Sequence, residues 1–242
     1  MSTVGFISLG CPKNQIDGEC LLALLDEKGF EIADPYEGVD IVIINTCGFI
    51  ESAKKEAIEN ILDMAQLKEE GLVGKIIVTG CLAERYKDEI LNEIPEVDAV
   101  VGIGANGSIA DICERVLEDE TVAEFPPKVC LPLNGGRILT TPEHYAYLKI
   151  ADGCNNRCTY CAIPEIRGSY RSRKIEGILD EAKQLSEKAL KRLYSLRRTQ
   201  RFTARIFTAL SSFPSFSTGF ARLTEFIGYV CSTATPMNLR TS

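Results

Sequence analysis

The sequence predicts an α/β fold whose N-terminal half is an open parallel sheet. Two observations carry this. Three apolar, β-branched runs, VGFISLGC, DIVIINTC and KIIVTGC, recur through the first 81 residues. Continuous runs of this kind suit strands buried on both faces of a parallel sheet. Helical patterns lie between them, and strand–helix alternation builds layered α/β architectures.

The elements follow in order. QIDGECLLALLDEKG sets Leu21, Leu22 and Leu25 on one face and stops at Gly29. Residues 50–71 form a second helical stretch, with Ile58, Ile61 and Leu62 as its expected stripe. ERYKDEILNEIP is a third, ending before Pro95. A fourth strand, VDAVVGI, leads into a helix over 109–118. GIGANG, Gly102 to Gly107, matches a dinucleotide fingerprint, but that fingerprint opens the first strand–helix unit and this one closes the last. A plain strand-to-helix turn is the better reading.

Each of the three apolar runs ends in a cysteine: Cys11, Cys47 and Cys81. Ligands of open α/β sheets sit beyond the carboxyl ends of the strands. These cysteines are therefore expected to converge on one sheet edge. The alternative is three unrelated buried thiols, because free cysteine is often buried. Cys20 and Cys113 fall inside helical patterns and are expected in the core. Cys130 lies in EFPPKVCLPLNGG, which reads as a linker between domains.

Composition bounds the function. The chain has 242 residues, 45% of them hydrophobic, which is enough for a sizeable core. Its net charge of -7 argues against a protein that coats nucleic acid. No apolar run reaches the roughly 18 residues of a membrane span. The N-terminus, MSTVGFISLGC, has no basic segment of an export signal, so a cytoplasmic protein is expected. In a reducing compartment ten cysteines read as metal ligands, redox thiols or small buried hydrophobes.

The most specific stretch is GCNNRCTYC, with Cys154, Cys158 and Cys161 spaced CxxxCxxC. Three thiolates this close can hold three corners of a [4Fe–4S] cluster and leave the fourth iron open. An open iron can chelate S-adenosylmethionine, whose reductive cleavage yields methionine and a 5′-deoxyadenosyl radical. Tyr160, the aromatic before the last cysteine, completes the CxxxCxΦC pattern of the radical SAM superfamily. HYAYLKIADG reads as the strand feeding the loop. A zinc site with His144 as fourth ligand is the competing reading, weakened because tetrahedral sites usually use paired ligands.

SLGCPKN, NTCGFIESA, VTGCLAERY and IADGCNNRCTYCAIPEIRGSYRSR, in that order, resemble the methylthiotransferases. The resemblance covers about Val4 to Lys188. It implies a methylthiotransferase domain over 1–124, a linker over 125–143 and the start of a radical SAM (β/α) barrel over 144–188, incomplete here. It also implies two [4Fe–4S] clusters. Cys11, Cys47 and Cys81 would hold the one concerned with sulfur, and Cys154, Cys158 and Cys161 the radical-generating one. S-adenosylmethionine would bind beside the second, with Tyr160 in contact.

GCPKN, Gly10 to Asn14, resembles the ribosomal branch of the family more than the GCQMN of the transfer-RNA branch. The implied reaction adds a methylthio group to the β-carbon of an aspartate in small-subunit ribosomal protein S-twelve. That C–H bond is unactivated, so its hydrogen must leave to a radical. An electron donor such as flavodoxin or ferredoxin is implied as partner. The alternatives are the same chemistry on a transfer-RNA adenosine, or a non-catalytic iron–sulfur or zinc protein.

After Lys188 the character changes. Residues 189–242 hold a single acid, Glu225, against eight Arg or Lys. If each codon's third base is joined to the next codon's first two, SLRRTQRFTARIFTA permits LIAQDTTxYGxDIYG, which resembles the family's continuation. Residues 189–242 are therefore read as an out-of-frame tail that completes no barrel, and the 242-residue chain is expected to be inactive.

Overall fold

The computed structural model describes residues 1–187 and 192–196. The remainder of the proposed tail lies outside the described residues. The N-terminal half is a six-stranded sheet in the order β2-β1-β3-β4-β5-β6, with every pairing parallel. Its strands are β1 (Thr3–Ser8), β2 (Glu31–Ala33), β3 (Val39–Thr46), β4 (Val73–Gly80), β5 (Ala99–Val101) and β6 (Val122–Glu124). The three apolar runs are β1, β3 and β4, and they lie side by side in the middle of the sheet.

β3 shows why its run is unbroken. Ile41 and Ile43 enter one apolar layer, while Val42 and Ile44 enter the layer on the opposite face. All four are fully buried. Side chains alternate across a strand, so a strand covered on both sides needs apolar residues at both parities. The edge strands β2 and β6 were not legible in the sequence. Each is three residues long, too short to display a period.

The helices are α1 (Pro12–Lys28), α2 (Glu51–Glu69), α3 (Cys81–Arg85), α4 (Lys87–Glu93) and α5 (Ile109–Leu117). α1 closes on Gly29 in the left-handed conformation, φ 92°, as the sequence anticipates. The stripe of α2 differs from the expected one. Ala53, Ala57, Ile61, Met64 and Ala65 are buried, whereas Ile58 and Leu62 stand 43% and 51% exposed. Small alanines let the helix lie close to the sheet, and this contact favours their face over the one with more large aliphatics. GIGANG forms a 3-10 turn over Ile103–Ser108 that leads into α5, a plain strand-to-helix connection.

The second unit begins with β7 (Tyr145–Lys149), β8 (Ala151–Asp152), α6 (Ile163–Arg167), β9 (Arg171–Ser172), α7 (Ile175–Glu187) and β10 (Arg192–Leu196). β10 pairs parallel with β7, with Leu193 opposite Ala146. α7 packs Ile178, Ala182 and Leu185 on Ala146, Leu148 and Ile150 of the β7 region. The result is one β–α–β turn of a barrel. β10 falls within the segment that the sequence assigns to an out-of-frame tail, yet it pairs with β7 from Arg192 to Leu196.

Segment 125–143 is not a loose tether. Its Ile138 amide donates to the Glu19 carbonyl of α1 at 3.1 Å. The Thr140 amide donates to Glu19 Oε1 at 3.0 Å. Arg137, with a side chain 6% exposed, pairs with Glu19 and with Glu181 of α7. A Pro/Gly-rich composition reports low helix and strand propensity, not freedom from contacts.

Candidate metal centre

The site begins with the carboxyl ends of three adjacent strands. The register sets Ser8 opposite Asn45 and Asn45 opposite Thr79, so β1, β3 and β4 end together. Cys11, Cys47 and Cys81 stand just past those ends. Cys11 is the N-cap of α1, and the Gln15 amide donates to its carbonyl at 3.0 Å. Cys47 and Cys81 are buried, 6% and 5% exposed. Cys81 opens α3 directly from β4.

Close backbone approach joins the three loops. Gly10 has φ 94°, and a Cβ built there would lie 2.4 Å from Cys47 Cβ and 2.9 Å from its Sγ. Only glycine fits so near and in that conformation. A Cβ on Gly48 would likewise lie 2.8 Å from the Cys81 carbonyl oxygen. The Cys11 loop thus rests on Cys47, and the Cys47 loop rests on Cys81. The expected convergence of the three cysteines holds at the level of their loops.

Asn14, the last residue of GCPKN, knits these loops together. Its Nδ2 donates to the carbonyls of Leu9 at 2.8 Å, Thr46 at 3.2 Å and Asn45 at 3.3 Å. Asn45 Nδ2 answers by donating to the Asn14 carbonyl at 2.8 Å. Arg85 Nη1 caps the Gly48 carbonyl at 2.8 Å. Asn14 is fully buried beside the other buried polar residues of α1, and no sequence period sets it apart.

The CxxxCxxC loop follows β7 and β8, near the position predicted from HYAYLKIADG. Cys154 is buried and its amide donates to the Gly168 carbonyl at 3.1 Å. Cys158 is exposed, Cys161 half-buried, and the Cys161 amide donates to the Cys158 carbonyl at 3.1 Å. Tyr160 is 84% exposed on this loop. His144 is exposed and stacks edge-on against Tyr145, with ring centroids 5.0 Å apart. Among the described residues no three His, Cys, Asp or Glu side chains close on a single metal ion. A [4Fe–4S] cube, by contrast, binds each thiolate through a different iron, so its ligands stand further apart.

The donor set fits such a group. Three thiols from three loops offer the soft ligands that iron–sulfur clusters select. The amino end of the 17-residue α1 favours an anionic ligand beside Cys11. Burial pushes the Cys81 thiol up, and the nearby Arg167 charge opposes it. Iron coordination would remove that proton outright.

Between the two cysteine groups lies a buried ionic cluster. Asp17 of α1 pairs with Lys149 and Arg167. Asp152 accepts from Arg167 at 3.0 Å and lies 3.6 Å from both Lys13 and Lys149. All five residues are buried. Arg167 also directs Nη2 toward Asn14 Oδ1 at 3.3 Å and Cys81 Sγ at 3.5 Å. The other arginines of EIRGSYRSR hold the scaffold. Arg171 donates to the carbonyls of Lys128, Val129 and Leu131, and Arg173 pairs with Glu181.

Comparison with known proteins finds two matched regions in sequence order. Residues 3–102 match the family described as Uncharacterized protein family UPF0004, and residues 148–196 match the Radical SAM superfamily. The chain is 53% identical over 194 residues to the ribosomal protein uS12 methylthiotransferase RimO of Thermoanaerobacter sp. strain X514. It is 50% identical over 196 residues to the protein of that name from Acetivibrio thermocellus and 46% over 198 residues to that from Clostridioides difficile strain 630. These alignments cover 78–80% of this chain and 43–44% of each relative, so the chain spans less than half their length. A solved cobalamin-dependent S-adenosylmethionine radical enzyme, OxsB, covers 92% of this chain and 37% of its own with a TM-score of 0.49 at 12% identity, too weak a likeness to argue from. With four cysteine-bearing motifs on one scaffold, two family matches in sequence order and relatives 46–53% identical over 194–198 residues, the chain is similar to the uS12 methylthiotransferases and carries a UPF0004 region followed by a Radical SAM region.

Proposed function

We propose that this chain carries the cluster-binding segments of a radical SAM methylthiotransferase acting on small-subunit ribosomal protein S-twelve. The observation that carries the proposal is the convergence of the Cys11, Cys47 and Cys81 loops next to the helix that follows the CxxxCxxC loop. Cys11, Cys47 and Cys81 would hold one [4Fe–4S] cluster and Cys154, Cys158 and Cys161 another. The relatives' shared name supports the substrate, and GCPKN agrees with it.

The second cluster with S-adenosylmethionine supplies a carbon radical able to take hydrogen from an unactivated C–H bond. The chain's own residues do the rest. The Gly10 and Gly48 contacts bring the sulfur-bearing loops close. The Asp17–Lys149–Asp152–Arg167 cluster holds the two cysteine groups in fixed relation. Tyr160, exposed on its loop, is free to contact the bound nucleoside. Reduction of the second cluster calls for a small low-potential donor of the flavodoxin or ferredoxin kind.

Metal content tests this. Anaerobic reconstitution should give about eight irons per chain, and about four after either Cys11, Cys47 and Cys81 or Cys154, Cys158 and Cys161 are replaced by Ala. Zinc in place of iron, or iron unaffected by one of the triple replacements, would overturn the two-cluster assignment. Methylthio transfer to a transfer RNA, and not to the ribosomal protein, by the full-length enzyme would overturn the substrate.

A further inference from the structure

Arg167 stands between the two cysteine groups. It closes α6, the helix that leaves Cys161, and its side chain reaches back across the interface to the sheet. The guanidinium is buried at 3% exposure. Its two Nη groups carry four hydrogens, and four acceptors meet them: Asp17 and Asp152 at Nη1, Asn14 and Cys81 at Nη2. Asp17 and Asp152 also meet Lys149, and none of the four acceptors is a surface group. A rigid planar fork fits this arrangement where a flexible ammonium would not.

We infer that Arg167 is a positioning residue for the first cluster: by donating to the Cys81 sulfur from the radical SAM segment, it raises the reduction potential of the cluster held by Cys11, Cys47 and Cys81. This rests on the two-cluster reading above. Hydrogen bonds to ligand sulfurs and nearby charge set iron–sulfur potentials. Uptake of one electron by the cluster adds a negative charge next to the guanidinium. The reduced form therefore gains more from Arg167 than the oxidised form, and the potential rises. Burial strengthens the effect, because water does not screen the contact. Asp17 and Asp152 fix the guanidinium from the far side and act in the opposite sense. The first cluster's environment is thus completed by the segment that carries the second.

The test uses the full chain with Cys154, Cys158 and Cys161 replaced by Ala, so that only the first cluster is present. A potentiometric titration followed by electron paramagnetic resonance, with dithionite as one-electron reductant, reads its midpoint. Arg167→Met should shift the midpoint to more negative values with the iron retained. Arg167→Lys, which keeps the charge, should fall between that variant and the parent. Asp17→Asn, which removes a negative charge from the same cluster of groups, should shift it the opposite way. If Arg167→Met does not hold iron, Asp17→Asn with Arg167→Met removes one charge of each sign and carries the same measurement, with a negative shift relative to Asp17→Asn alone. A merely structural arginine would lower iron content without these opposed shifts. Midpoints that coincide for the parent, Arg167→Met and Asp17→Asn would overturn the inference. Absence of iron from the parent itself would refute the two-cluster reading before any arginine variant is made.

Discussion

Arg137 Nη2 lies 2.5 Å from Glu19 Oε2, and the Glu19 side chain is completely shielded from solvent. The same guanidinium reaches Glu181 of α7. One arginine from a Pro/Gly-rich segment therefore joins the first helix of the sheet domain to α7 of the barrel segment.

That junction should be expensive to cut. Arg137→Ala leaves Glu19 buried with only the Thr140 donors, and breaking a buried pair by removing one partner costs about 3–5 kcal/mol. The expected outcome is a lower urea midpoint. Glu19→Gln with Arg137→Met should recover much of the loss, and no recovery would contradict an electrostatic origin.

Gly10→Ala tests the packing beneath the first cysteine group. The added Cβ would meet Cys47 Cβ at 2.4 Å in a backbone conformation that disfavours side chains. A non-glycine residue held in such a region costs on the order of 1–3 kcal/mol. Iron bound after reconstitution should fall by about half, toward the four atoms of the second cluster. Unchanged iron content would mean that the Cys11 loop does not depend on its contact with Cys47.

Asn14→Ala removes one donor group that serves three carbonyls at the ends of β1 and β3. Each buried acceptor left unsatisfied costs about 1–3 kcal/mol, less where water enters. The variant should unfold at lower urea concentration and lose iron from the first site faster on exposure to a chelator. An Asn14→Ala protein with parental iron retention would confine this residue to general stability.

The two helical cysteines should resist alkylation. Burial pushes the Cys20 thiol up to about 11 and the Cys113 thiol up to about 12. A raised thiol favours the fold while it stays neutral. This contribution is complete below the unfolded pKa near 9 and is lost as pH rises toward the folded value. In iodoacetamide at pH 8.5, exposed Cys130 should react well before Cys113, which stays protected until urea is added. Labelling of Cys113 at the Cys130 rate in the native chain would be the contrary result. Across pH 9 to 11, Cys113→Ala should flatten the fall in stability.

The sequence by itself determined the parallel sheet, because β1, β3 and β4 are covered on both faces and so carry apolar residues at both parities. It also singled out six cysteines as candidate cluster ligands, because cluster chemistry needs thiolates at fixed local spacing and sheet topology sends strand ends to one edge. Tertiary structure decided what lies between them. Lys13, Asn14, Asp17 and Glu19 read as ordinary polar residues of a helix, yet all four are buried. Their partners Arg137, Lys149, Asp152 and Arg167 lie more than a hundred residues away, and no period or propensity links such distant charges. The edge strands β2 and β6 and the buried face of α2 also depended on neighbours, since three residues carry no pattern and a helix turns toward whichever side packs closest. A buried charge is stable only with its partner in place, so the ionic junction exists only once both segments have folded against each other.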